Sequence, residues 1–307
     1  IVNKLPNETP VSLEVEENSD NILIKSDRGS FNLKGIPSDE YPNLPFVESG
    51  TSLNIDPSSF LKALKSTIFA SSNDDSKQLL TGVNFTFKSN YLESASTDGH
   101  RLAVALIGNE EHIENKENLS SNVDDLSVTI PTRSLREIEK LVSLRSSENS
   151  IKLFYDKGQV VFISSNQIIT TRTLEGTYPN YSQLIPDSFS KILNFNTKKL
   201  IDALERIAVL ADQQSSVVKI KLDDTDLASI SADAQDIGNA NESIPVSYSG
   251  ENFDIAFNVR YLLEGLKVIA SENVLLKCNI ATTPAVFVPE DNLNSFTYLV
   301  MPVQVRS

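Results

Sequence analysis

Scarcity is the first information in these 307 residues: one cysteine (Cys278), one methionine (Met301), no tryptophan and two histidines (His100 and His112). A single cysteine excludes an internal disulfide framework and fits a reducing compartment. Neither histidine has a partner at metal-ligand spacing. No apolar run approaches the length of a membrane span, and the first residues lack the charged-then-apolar layout of a secretory signal. The chain therefore reads as a soluble cytoplasmic protein with no membrane partner. G-x-S-x-G, P-loop and C-x-x-C patterns are all missing, and the carboxylates are scattered over strands and loops as solvated charge. The expectation is a protein without catalysis, metal or cofactor.

Acid is abundant: 41 Asp and Glu face 27 Lys and Arg, giving a formal charge of -14. Bulk charge of that sign argues against a tight nucleic-acid binder. The length allows two domains or a little more. Within the first 46 residues, runs at 11–15, 22–25 and 30–33 are strand-like, with no helical pattern. They lead to Tyr41-Pro42-Asn43-Leu44-Pro45. The same punctuation returns as Tyr178-Pro179-Asn180-Tyr181, again after three strand-like runs at 150–155, 158–164 and 167–174. Helical patterns repeat on the same scale. Phe60-Leu61-Lys62-Ala63-Leu64 matches Leu200-Ile201-Asp202-Ala203-Leu204, with Asp56-Pro57 and Asn196-Thr197 as starts. A second pair, 133–142 and 260–269, begins after Pro131 and Asn258. The unit is a strand, a helix and three strands, used twice per domain.

Residues 47–186 and 187–307 each hold two such helices, whereas 1–46 hold only the strands that should follow a second one. Ile1 and Val2 align with Leu141 and Val142, and the chain opens with Ile instead of Met. The expected layout is the last third of one domain (1–46), a middle domain (47–186) and a C-terminal domain (187–307). By repeat arithmetic, roughly 80 to 90 residues would precede it.

Charge is distributed unevenly over that layout. The four helical stretches carry ten basic residues (Lys62, Lys65, Arg133, Arg136, Lys140, Lys198, Lys199, Arg206, Arg260 and Lys267) and five acids (Glu137, Glu139, Asp202, Glu205 and Glu264). Arg133, Arg136 and Lys140 share one helix face, opposite Leu135, Ile138 and Leu141. One reading is an ordinary solvated face built from good helix formers. The other is a surface turned toward phosphates, which Lys and Arg contact in a sequence-independent, salt-sensitive way. Acidic sheets elsewhere would keep the wrong surface off DNA.

Between two alternating runs lies Ser96-Thr97-Asp98-Gly99-His100-Arg101-Leu102-Ala103, where Asp-Gly signals a tight turn. This stretch is similar to the TDGHRLA signature of the bacterial sliding clamp, the beta subunit of DNA polymerase III. The end of the chain, Tyr298-Leu299-Val300-Met301-Pro302-Val303, is similar to that family's terminal run, and Phe257-Asn258-Val259-Arg260-Tyr261 matches a third motif. The resemblance covers essentially the whole chain.

It implies an α+β fold of repeated β-α-β-β-β units, the DNA clamp fold, with two helices per domain on one face of antiparallel sheets. It also implies a homodimeric ring when full length, encircling double-stranded DNA and serving replicative and other DNA polymerases and the clamp loader. The implied peptide pocket comprises Leu80, Thr97, Gly99, His100, Arg101, Leu102, Pro179, Leu184, Asn258, Tyr261, Ala285, Leu299, Val300, Met301, Pro302 and Val303. Lys77 and Gln78 join the helix cations as DNA-facing candidates. Physically the pocket is an apolar groove in which Met301 adapts to several partners. Departures from the family are Gln183 and Gln304 where many relatives have Arg, Ser215 where some have an aromatic, and Arg306 and Ser307 past the usual end. Two alternatives stand beside this reading: a repeat-built β scaffold and a carboxylate-based hydrolase.

Overall fold

The computed structural model describes residues 1–5, 10–15, 19–42, 50–88, 91–108, 126–143, 150–164, 167–211, 216–222, 226–234, 238–249 and 251–304. Two compact units are present, Ile1–Phe46 and Val47–Ser307. In the first, β1 (Ser12–Val15), β2 (Asn21–Ser26) and β3 (Gly29–Lys34) form an antiparallel meander. Two single 3-10 turns, Val2–Lys4 and Ser38–Glu40, interrupt what the sequence reads as strands alone.

The second unit uses the strand-helix-three-strand block four times. The first two blocks are β4 (Thr51–Ile55), α1 (Pro57–Thr67), β5 (Gly82–Phe87), β6 (Tyr91–Thr97), β7 (Arg101–Gly108), then β8 (Leu126–Pro131), α2 (Thr132–Ser143), β9 (Ile151–Asp156), β10 (Gln159–Ser164) and β11 (Gln167–Arg172). The third runs β12 (Lys191–Asn196), α3 (Thr197–Ala208), β13 (Val217–Leu222), β14 (Leu227–Ala234) and β15 (Gly238–Pro245), followed by the short β16 (Ser247–Ser249). The fourth runs β17 (Phe253–Asn258), α4 (Val259–Leu266), β18 (Asn273–Cys278), β19 (Ala285–Pro289) and β20 (Phe296–Val300).

Local chemistry starts three of the helices as the sequence foretells. Carboxylate or amide oxygens of Asp56, Asn196 and Asn258 accept from the backbone N–H of Ser59, Lys199 and Arg260 at 2.7, 3.1 and 2.9 Å. Each such cap contributes about 1 kcal/mol. Helix α4 stops at Leu266, three residues before the sequence expectation, because its end tightens into i to i-3 bonds from Val268 and Ile269 to Gly265 and Leu266.

Blocks come in reciprocal pairs. Strand β4 pairs with β9 while β8 pairs with β5, and β12 pairs with β18 while β17 pairs with β13. No block completes its sheet alone. A further pairing, β7 with β20 from Ala105↔Phe296 to Arg101↔Val300, fuses the halves into a nine-stranded sheet ordered β16-β12-β18-β19-β20-β7-β6-β5-β8.

Register decides which face of that sheet each element covers. Ser96, Ala103 and Tyr298 stand opposite one another on β6, β7 and β20, so their side chains share a face. On that face the hydroxyls of Ser94 and Ser96 donate to the carbonyls of Ala63 and Thr67 in α1. The Tyr298 ring lies so close beneath Gly265 of α4 that an added Cβ would come within 2.0 Å of it. Helices α1 and α4 therefore occupy the same face. Helix α2 packs beside α1, and α3 beside α4. The opposite face carries Ala95, Leu102, Val104, Val286, Val288 and Leu299, packed against Tyr181, Ile185 and Phe189 of the connecting segment.

Candidate functional site

The Asp98–His100 turn joins β6 to β7 and is closed by its own side chains. Asp98 Oδ1 accepts from the backbone N–H of His100 (2.8 Å) and Arg101 (3.1 Å), and Thr97 Oγ1 accepts from Gly99 N–H at 3.1 Å while donating to the Arg101 carbonyl at 2.6 Å. Gly99 has φ +94°, where a side chain would be strained. Tyr178, from the second Tyr-Pro-Asn stretch, accepts the Thr97 N–H on its hydroxyl at 3.1 Å. Burial pushes that phenol's pKa up, so it stays neutral.

Arg101 is the joint of the site. Its Nε donates to Asp98 Oδ2 (3.1 Å), one terminal nitrogen donates to Glu264 of α4 (2.5 Å), and the other donates to the carbonyl of Phe69 (2.8 Å) just past α1. The guanidinium lies 4.4 Å from the Tyr261 ring centroid and 5.5 Å from that of Phe69. Its side chain is 8% exposed. Burial works against its charge, yet its pKa ends up raised because Tyr298 and Glu264 favour the cation. The family resemblance counts Arg101 among the residues of the peptide pocket. The alternation of β7 sends it instead to the helix face, where its donors are already engaged between β7, α4 and the end of α1.

Several other expected pocket residues gather around this joint. Met301 N–H donates to the His100 carbonyl at 2.9 Å, and Val303 N–H to that of Ala256 in β17 at 2.7 Å, so the terminal segment runs from the turn to β17. The His100 and Tyr261 rings stack at 6.4 Å. Ala285, Leu102, Leu299 and Val300 are closed over, each 2% exposed or less; Leu102 and Leu299 pack toward the connecting segment and form floor, while Ala285 and Val300 lie in the helix-side core. Open apolar contact is offered by Met301, 39% exposed, and Leu184, 53% exposed. Pro179 and His100 are exposed, Leu80, Pro302 and Val303 half-buried, and Gln183 and Gln304 lie open. His112, Ser215, Arg306 and Ser307 lie outside the described residues.

The cations expected to face DNA fall into two groups. Lys140 pairs with Glu137 (2.8 Å), Arg206 with Glu242 of β15 (2.5 Å), and Lys267 with Glu205 across from α4 to α3 (2.6 Å). Lys62, Lys65, Arg133, Arg136, Lys198, Lys199 and Arg260 are exposed and take part in no ion pair among the described residues. Lys77 is turned toward the Asp98 carbonyl, 3.3 Å away, and Gln78 is exposed, its carbonyl accepting from Thr81.

Glu264, Phe69 and Tyr178 were not among the pocket or DNA-facing candidates drawn from sequence. Tyr178 had a signal in its Tyr-Pro-Asn repeat. Glu264 had none, since only the fold brings it to a partner 163 positions away.

Three family models tile the chain. They are the N-terminal, central and C-terminal domains of the DNA polymerase III beta subunit, matched by residues 1–45, 54–180 and 182–304. The beta sliding clamp of Synechococcus elongatus is 41% identical over 308 residues, spanning 100% of this chain and 79% of that one. This chain belongs to the beta sliding clamp family. Among solved structures, the DNA polymerase sliding clamp of Bacillus subtilis superposes with a TM-score of 0.86 at 29% identity, covering 99% of this chain and 77% of its own. The Pseudomonas aeruginosa sliding clamp bound to griselimycin does so with 0.83 at 25% identity, over 99% and 78%. Family membership decides for the clamp reading over both the scaffold and the hydrolase. The beta clamp architecture accounts for the reciprocal block pairing and for helices gathered on one sheet face.

Proposed function

We propose that this beta clamp performs no chemistry and holds the replicative polymerase on duplex DNA by encircling it, as a homodimer when full length, in the bacterial cytoplasm. The observation that carries the reading is the shared sheet face under α1 and α4, with each partner helix alongside. These helices carry seven cations in no ion pair among the described residues, in a chain whose net charge is -14. Seven dispersed cations suit transient phosphate contact and leave base sequence unread. The three-domain division at 46/47 and 186/187 belongs to the same proposal, the middle and C-terminal domains each being two reciprocal blocks.

Polymerases and the loader dock, in this reading, beside the Asp98–His100 turn. Met301, Leu184, Pro179 and His100 offer the exposed contacts, Leu80, Tyr261, Pro302 and Val303 the half-buried ones, over the closed floor of Leu102 and Leu299. Arg101 holds the turn in place from behind. A polymerase on singly primed DNA, assayed with its loader, is expected to make much longer products per encounter when this clamp, in its full gene product, is added. Unchanged product length contradicts the reading.

A further inference from the structure

Sulfur is nearly absent from this chain, and its two atoms stand in opposite settings. Cys278 lies in the helix-side core, closed to solvent, and burial raises its thiol to about 11, so the thiolate that oxidants attack does not form near neutral pH. Met301, the one methionine, is exposed directly after β20, and the chain has no tryptophan.

A thioether needs no deprotonation to react, since its sulfur carries a free lone pair at any pH. The backbone around Met301 is fixed on both sides, by its own N–H on the His100 carbonyl at 2.9 Å and by Val303 N–H on that of Ala256 at 2.7 Å. The side chain is therefore held at the docking surface, next to the Asp98–His100 turn, and stays open to small solutes.

We infer that Met301 is a peroxide-sensitive modification site whose sulfoxide closes the docking surface to apolar peptides. The inference rests on the docking reading above. The Met301 sulfur attacks one oxygen of hydrogen peroxide; an S–O bond forms and the O–O bond breaks. Sulfur is oxidised by two electrons, and the departing hydroxide takes the proton of the transferred OH group and leaves as water. A methionine sulfoxide reductase reverses the step with two thiols, which become a disulfide while the oxygen leaves as water.

Docking buries the Met301 side chain against apolar peptide groups. The thioether meets them as a soft, adaptable surface. The sulfoxide brings a strongly polar S–O group that has to shed its water there. Because Met301 is exposed in the free protein, its oxidation leaves the buried core alone, so the loss falls on docking and not on folding. Peroxide would thus release partners from the clamp without touching the helix cations.

The test treats the full gene product with graded hydrogen peroxide, reads the oxidised fraction of Met301 by peptide mass mapping, and measures binding of a labelled pentapeptide with two apolar residues at its end by fluorescence anisotropy. At full oxidation of Met301 the affinity is expected to fall about ten-fold, in step with the Met301 fraction and not with that of any other methionine. It should return after incubation with methionine sulfoxide reductases of both stereospecificities and a dithiol. Met301→Leu, which keeps the apolar volume, should show the same affinity, whatever its value, before and after peroxide. Unchanged binding at full oxidation of Met301, a loss that precedes its oxidation, or a loss that persists in Met301→Leu overturns the modification site, while binding by the untreated protein keeps the docking reading intact. A peptide that does not bind the untreated protein overturns the docking reading and this one with it.

Discussion

The two faces of the nine-stranded sheet are woven from the same strands but hold different chemistry. On the helix face, β6, β7 and β20 present Ser94, Ser96, Arg101, Ala103 and Tyr298, small or polar side chains that let helices approach and accept hydroxyl bonds. The other face presents Ala95, Leu102, Val104 and Leu299, closed by Tyr181, Ile185 and Phe189. Neighbouring residues of one motif, Arg101 and Leu102, are thereby sent to opposite sides. Conserving register matters more than conserving any one contact, since a slip by one residue would exchange the two sets.

The largest effect is expected from the helix face. Arg101→Ala leaves Asp98, 14% exposed, and the Phe69 carbonyl without their cationic donor, and should cost about 4 kcal/mol, read as a fall in the urea midpoint. A change below about 1 kcal/mol would show the joint to be idle. On the opposite face Leu102→Ala, at 1% exposure, should cost about 3 kcal/mol through lost contact and a cavity, measured the same way. Asn258→Ala removes the acceptor for Arg260 and Tyr261 N–H and should cost about 1 kcal/mol. It should also loosen the His100–Tyr261 stack, visible in tyrosine fluorescence.

A smaller, chemical readout sharpens the same contrast. Burial pushes the Cys278 thiol up to about 11, so at pH 8 it remains protonated and buried in the helix-side core. An alkylating reagent should modify it only once that core opens, with a half-time that follows unfolding. Fast labelling of the native protein would place Cys278 outside a closed core.

Much of this contrast was legible beforehand, and what escaped is instructive. Caps at Asp56, Asn196 and Asn258, the apolar spacing of the helices and the Asp-Gly turn are local signals within a few residues of their partners. They yielded the repeated blocks. The β7–β20 pairing and the Arg101–Glu264 contact are non-local, and nothing in the spacing of Thr-Asp-Gly-His-Arg tells which face its arginine takes. The burial of Leu102, Leu299 and Val300 escaped for the same reason. An apolar residue in a motif reads equally as groove wall or groove floor until the covering segment is known.

The middle and C-terminal helix pairs also differ. Among the described residues, Lys62, Lys65, Arg133 and Arg136 of α1 and α2 are in no ion pair and Lys140 alone of that group is neutralised; on α3 and just past α4, Arg206 and Lys267 are tied to Glu242 and Glu205. The middle pair thus presents more free positive charge.

The central claim is that DNA contact and peptide docking sit on separate parts of this sheet. Its most direct test is the salt dependence of duplex DNA binding by the wild type, by Arg133→Gln with Arg136→Gln, and by Met301→Ala. The double variant should flatten the slope of log affinity against log salt by about 2, and Met301→Ala should leave it unchanged. An unaltered slope in the double variant, or an equal flattening by Met301→Ala, would contradict the account.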